Sequence, residues 1–277
     1  MTIPILEGIA PLAPLYDGFV LDLWGVLHDG QLPMPGAREA LALLRAAGKR
    51  VVILSNAPRR AASVAERIAE IGIEPALYDA LLSSGEATWQ WLKVGGPGGR
   101  QFFPIMATRD GGMLEGLSIR AAAGIEDADF ILNTGVEGAK DRVEDFEPVL
   151  QAGAKRGLLM VCANPDLMVI QAGRPEICAG AIALRYEELG GRVRYFGKPH
   201  RAIYQACFDR LAIDDRARIL AVGDSLLTDI AGANAVGIAS LLVLEGIHQE
   251  ELKGGDLETI VRRAGVRPSA AVPRFRW

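Results

Sequence analysis

Four short apolar runs, FVLDLWG at 19–25, RVVILSNA at 50–57, VRYFGKPH at 193–200 and RILAVGDS at 218–225, each end abruptly in polar residues. Unbroken apolar runs of this length are the pattern of strands buried on both faces, as in a parallel sheet covered by helices. The segments between them agree with that reading. GAREALALLRAAGK places Ala37, Leu41, Leu44 and Ala47 at helical spacing, with Gly48 where a helix would end. PRRAASVAERIAEIG repeats the pattern, with Pro58 near its start and Gly72 at its close. Strand, helix, strand, helix predicts an α/β fold with a doubly wound parallel sheet, in which ligands sit beyond the carboxyl ends of the strands. Asp22, Ser55, Lys198 and Asp224 lie at or just past the ends of the four runs, so one edge of one sheet is expected to gather all four.

Roughly 140 residues separate the second run from the third, too many for a single crossover and enough for an inserted domain. That interval has apolar runs of its own, QFFPIMATR at 101–109, ADFILNTG at 128–135 and GLLMVCANPD at 157–166, alternating with the helix-like EDFEPVLQAGAKRG. An α/β domain is therefore expected at 85–186, inserted in a core formed by 1–84 and 187–277. GGPGG at 95–99 reads as a flexible loop, Trp89 and Trp91 as helix packing, and Tyr195 and Phe196 as strand core.

With 277 residues, half of them apolar and 23% charged, the chain has the profile of a soluble globular protein of two modest domains. A net charge of −4 argues against nucleic acid or an anionic membrane as partner, since both need clustered positive charge. The basic residues of 261–277 are expected to be a solvated tail. No apolar stretch approaches the roughly 20 residues that span a bilayer, and prolines and acids interrupt the first residues, unlike a signal peptide. Cys162, Cys178 and Cys207 are odd in number and widely spaced, which suits small buried side chains in a reducing, cytoplasmic protein.

The residues at the strand ends suit phosphoryl transfer, which needs a positioned phosphoryl group, neutralised charge and an attacking oxygen in line. Asp22 can serve as nucleophile and form an aspartyl-phosphate. Repulsion between that carboxylate and the phosphate calls for a cation such as Mg²⁺, with Asp224 and, five residues on, Asp229 as further acids. Ser55 and Asn56 offer donors to phosphate oxygens, and Lys198 a positive charge where negative charge develops.

DLWGVL, LSNAPR, GKPH and GDSLLTDI, in this order, resemble the four motifs of the haloacid dehalogenase (HAD) superfamily. The insertion resembles the cap of its class IIA branch, which includes phosphatases of sugar phosphates, nucleotides and pyridoxal phosphate. The resemblance implies a Rossmann-like core with an inserted cap that closes over the site, and cap-mediated homodimers are common in that family. It implies that Asp22 is nucleophile and metal ligand, that the backbone carbonyl of Trp24 is a second ligand, and that Asp224 and Asp229 complete a Mg²⁺ site. Ser55 would bind phosphate and Lys198 would orient nucleophile and phosphate. Asn164 and Asp166 of CANPD resemble a cap loop that faces substrate; a plain turn is the alternative.

One position departs from the family pattern. Its phosphatases carry a second aspartate two residues after the nucleophile, to protonate the leaving alcohol and then activate water, and here that residue is Trp24, whose indole does not titrate. The missing step is worth about 10²- to 10⁴-fold. His28 or Asp29 could supply the proton, although a local hydrogen-bonding cap is the favoured reading of that pair. The alternatives are a non-catalytic module that binds a phosphorylated ligand, or a 2-haloacid dehalogenase, whose leaving halide needs no proton. Retention of Asp224 and Asp229 favours the metal site. The expectation is a Mg²⁺-dependent phosphomonoester hydrolase acting on a small phosphorylated metabolite such as a sugar phosphate, slowed by Trp24 or selective for a leaving group that needs little protonation.

Overall fold

The chain begins its regular structure with β1 (Gly18–Leu21), α1 (Ala37–Ala46), β2 (Arg50–Ser55), α2 (Ala61–Glu70), β3 (Ala80–Ser83) and α3 (Ser84–Lys93). There follow β4 (Gln101–Ile105), β5 (Arg120–Ala121), β6 (Phe130–Asn133), α4 (Glu147–Lys155), β7 (Leu159–Cys162), β8 (Met168–Gln171) and β9 (Arg174–Ile177). The last part contains α5 (Ala179–Glu188), β10 (Arg192–Tyr195), α6 (Arg201–Leu211), β11 (Ile219–Gly223) and α7 (Ala231–Val236). It ends with β12 (Ala239–Val243), α8 (Gln249–Gly254), α9 (Leu257–Ala264) and β13 (Ala270–Val272). This is a computed structural model, and it describes residues 2–138, 140–171 and 174–277.

The chain divides into two compact units, one of Met1–Ser55, Ala65–Leu82 and Lys198–Trp277, the other of Asn56–Val64 and Ser83–Gly197. The first is built on a six-stranded sheet in the order β13-β12-β11-β1-β2-β3. In it β1 pairs in parallel with both β11 and β2, and β11 with β12. Every residue of β1 and β11 is buried, as central strands covered on both faces require. The helix α1 turns Ala37, Ala40, Leu41 and Leu44 inward, the stripe a 3.6-residue period produces.

The second unit has a five-stranded sheet in the order β10-β7-β6-β4-β5, its pairs parallel, and a separate antiparallel hairpin of β8 and β9. Its core gathers Ile131, Leu150, Met160, Ile182 and Tyr186, all fully buried. Trp91 packs against Phe196 with ring centroids 5.3 Å apart. The Trp89 indole N–H donates to the Glu115 carbonyl at 2.8 Å, and the Arg60 guanidinium lies 3.7 Å from its ring centre.

Two expectations are corrected. VRYFGKPH does not supply a strand of the first sheet, because β10 pairs in parallel with β7 as an edge of the second. The reason is visible in its alternation: Arg192 and Arg194 are exposed while Val193 and Tyr195 are half-buried, a strand with one covered face rather than two. The second unit runs to Gly197 and also takes in 56–64. The C-terminal residues are not a solvated tail either. The strand β13 pairs with β12, and Phe275 is fully buried, while Arg274 and Arg276 pair with Glu245 and Glu7 at 2.6 and 3.0 Å. The apolar residues interspersed with the arginines carry the segment into the sheet.

The three cysteines are free and buried. Among the described residues no helix is long and apolar enough to cross a membrane. Ile53, fully buried in β2, sets the expected scale of core stability: Ile53→Ala lowers unfolding free energy by about 2–5 kcal/mol, read from chemical denaturation curves followed by circular dichroism.

Candidate active site

The chain leaves β1 toward β2 on one side, while β11 to β13 build outward from the other, so the order of connection reverses between β1 and β11. A parallel sheet opens a crevice at such a point. Leu21 lies level with Val222 on one side and Ile53 on the other. The next residues, Asp22 after β1, Ser55 at the end of β2 and Asp224 after β11, therefore share one edge. The Asp22 N–H still donates to the Val222 carbonyl at 2.8 Å, which ties the residue to the sheet.

Asp22, Asp224 and Asp229 are all buried, and a carboxylate oxygen from each lies within 4.8 Å of the others. Lys198, 3% exposed, ion-pairs with Asp22 and, at 2.8 Å, with Asp229. It reaches the cluster from the turn before α6, the helix whose Tyr204 hydroxyl donates to the Asp229 carbonyl at 3.1 Å. A single π turn at Leu226–Ile230 brings Asp229 back beneath the end of β11, where its carboxylate accepts the Ser225 N–H at 3.2 Å. Burial, aided by the charges of Asp22 and Asp229, raises Asp224 well above the usual carboxylate range. Burial raises Asp229 to about 6 against the opposing pull of Lys198. Three buried carboxylates with one ammonium fit a hard divalent cation, whose charge offsets the cost of burying these acids together.

Ser55 is buried at the end of β2. Asn56 is buried beside it in sequence, with its side-chain amide donating to Asp166 at 2.8 Å. Asn164 accepts the Asp166 N–H at 3.0 Å, so CANPD forms an Asx turn within the second unit, the local arrangement its N-P-D sequence allows.

After Asp22 the chain makes a tight excursion. Gly25 adopts φ +76°, and a Cβ there would lie 2.2 Å from an Asp224 carboxylate oxygen, so only glycine lets the loop pass this acid. The Trp24 ring meets the His28 ring edge-on at 5.2 Å. It also covers Gly30, where a Cβ would come within 2.5 Å of the indole. His28 Nδ1 accepts the Gly30 N–H at 2.7 Å, and Asp29 accepts the N–H groups of Gln31 and Leu32, both at 2.8 Å. His28 and Asp29 thus act as local caps. Burial, helped by Arg67, lowers His28 to about 4 against the opposing charge of Asp29.

The loop after β12 is a contributor the motifs do not mark. The Ile247 N–H donates to Asp224 at 2.8 Å, and His248 Nε2 accepts the Leu226 N–H at 3.2 Å. A backbone donor has no side-chain signature, and the only hint was a glycine, Gly246, soon after an apolar run.

Comparison with known proteins is consistent with this geometry. Residues 19–119 match the family model described as haloacid dehalogenase-like hydrolase, and 195–272 match a second, HAD-hydrolase-like model. Chronophin of Mus musculus is 30% identical over 84% of this chain and 82% of its own length. The chain belongs to the haloacid dehalogenase-like hydrolases. A crystal structure of a family hydrolase from Brucella suis 1330 is 31% identical with a TM-score of 0.86, covering 98% of this chain and all of that one. D-glycerol 3-phosphate phosphatase of Mycobacterium tuberculosis is 28% identical over 86% of this haloacid dehalogenase-like hydrolase, which spans 65% of that relative's length. A glycerol phosphate phosphatase of the same bacterium, solved with magnesium, is 26% identical with a TM-score of 0.64, covering 87% of this chain and 71% of that one. The relatives place the chain among the class IIA phosphatases of the family.

His28 gives the site a measurable acid response. The unfolded chain takes up its proton near pH 6.5 and the folded one only near 4, so the folded state is favoured above about 6.5 and loses stability as pH falls toward 4. In paired denaturation series, the wild type is expected to lose more stability across that interval than His28→Gln.

Proposed function

We propose that the chain is a Mg²⁺-dependent phosphomonoester hydrolase acting on a small phosphorylated metabolite through an aspartyl-phosphate on Asp22. The observation that supports this most is the buried cluster of Asp22, Asp224 and Asp229 with Lys198 at the switch point of a parallel sheet. Asp22 attacks phosphorus, and Lys198 steers that carboxylate and offsets charge on the phosphoryl oxygens. Ser55 donates its hydroxyl to the phosphoryl group, and Asn56 contributes from the residue after it. Asp22, the Trp24 carbonyl, Asp224 and Asp229 would hold the Mg²⁺, which supplies neutralisation of the phosphate charge when bound.

The second compact unit serves as the cap that selects substrate, with Asn164 and Asp166 on its selecting loop. Relatives named for glycerol phosphates and 4-nitrophenyl phosphate support a substrate of that size. Three free, buried cysteines suit a cytoplasmic enzyme, and the family resemblance supports a homodimer. Trp24 favours a second reading, a non-catalytic module that binds a phosphorylated ligand with the same residues; calorimetric binding without turnover would establish it. The buried acid cluster tells against a 2-haloacid dehalogenase, which works without Mg²⁺.

Phosphate release from 4-nitrophenyl phosphate and a sugar-phosphate panel tests the reading. Asp22→Asn is expected to lower kcat by at least about 10³-fold, and EDTA to abolish release until Mg²⁺ is restored. Release that survives Asp22→Asn would reject Asp22 as nucleophile.

A further inference from the structure

The cluster around Asp22 is rich in charge and poor in transferable protons. Lys198 holds its ammonium between Asp22 and Asp229. Asp224 and Asp229 are the remaining acids of the cluster and are claimed by the cation site. The three histidines of the chain, all in the first unit, are otherwise placed. His28 Nδ1 takes the Gly30 N–H, which leaves its one proton on Nε2, in a ring set edge-on to Trp24 and held neutral by burial. His248 presents to the Leu226 N–H a nitrogen that accepts, its other nitrogen facing Glu251 at 3.2 Å. His200 stands exposed at the start of α6. Tyr204 gives its hydroxyl proton to the Asp229 carbonyl, and Asp29 closes its own turn. Trp24, whose indole lies over Gly30, has no proton to exchange.

We infer that the substrate of this site is a phosphate compound with an acidic leaving group, an acyl or aryl phosphate rather than an alkyl ester, and that the phosphorylated Asp22 persists between the two half-reactions. The inference rests on the phosphatase reading above. In the first half-reaction an Asp22 oxygen bonds to phosphorus, the bond from phosphorus to the leaving oxygen breaks, and that oxygen departs with its electron pair as a carboxylate or phenolate. An alkoxide cannot leave so without a proton, whereas these anions can. In the second, a water oxygen bonds to phosphorus, the phosphorus–Asp22 bond breaks, Asp22 recovers its carboxylate and the water's proton leaves on the product phosphate. Among the described residues of the first unit no side-chain base is set to take that proton, so this step is the slower one.

Rapid-quench and steady-state kinetics on the wild-type chain with Mg²⁺ test both halves. With 4-nitrophenyl phosphate or acetyl phosphate, a burst of leaving group approaching one per chain is expected, followed by slow turnover. Across aryl phosphates from 4-nitrophenyl to phenyl, kcat/KM should fall by about 10²-fold or more, and alkyl phosphates should lie lower still. Trp24→Asp should compress that spread to less than about tenfold and remove the burst; if the variant does not fold, the wild-type burst and spread decide alone. Turnover without a burst, with kcat/KM indifferent to the leaving group, would overturn the inference and leave the phosphatase reading standing, since a proton donor from elsewhere would then be at work. Absence of both release and burst with every substrate would overturn the phosphatase reading itself.

Discussion

Three carboxylates brought within 4.8 Å of one another in a buried site repel, and one lysine answers them. Fully ionised, three negative charges against one positive leave two negative, the charge that a single divalent cation neutralises. Burial and mutual repulsion are expressed as the raised protonation range of Asp224 and Asp229. Much of the surrounding structure serves to keep the acids in place despite this cost. Ser225 and Ile247 lend backbone N–H groups, Lys198 arrives from outside the sheet, and Gly25 lets a loop pass where any side chain would strike Asp224. Isolated buried charges are too costly to persist without such pairing, so the arrangement argues for a site maintained for chemistry rather than stability.

Trp24 alters that chemistry without dismantling it. The position after β1 has two separable contributions, a backbone carbonyl, which any residue provides, and a side chain, which here cannot titrate. The indole is used locally instead, lying over Gly30 and against His28, and the same loop spends His28 and Asp29 on its own N–H groups. The residues that follow Asp22 are thus committed to shaping a turn, and on the proposed reading the requirement for a proton passes to the acidity of the leaving group.

Much of the candidate site is legible in the sequence because β1, β2 and β11 are central strands. Their burial on both faces writes an unbroken apolar run, and the first polar residue after each run falls at the same sheet edge. Strand β10 has one covered face and belongs to a different sheet, yet VRYF resembles a short apolar run when Arg194 is overlooked. The arginines of the C-terminal segment likewise masked the apolar residues that build β13 and bury Phe275.

By itself the sequence determined the α/β class, the helical stripe of α1 and the identities of Asp22, Ser55, Lys198, Asp224 and Asp229, since periodicity and motif spacing are properties of neighbouring residues. Only the tertiary structure decided that Lys198 comes to the cluster from outside the sheet, that His28 and Asp29 are spent within their own turn, and that the Ile247 N–H and the Tyr204 hydroxyl support the acids. These depend on contacts between segments far apart in the chain and on backbone groups every residue shares, so no local pattern of side chains announces them.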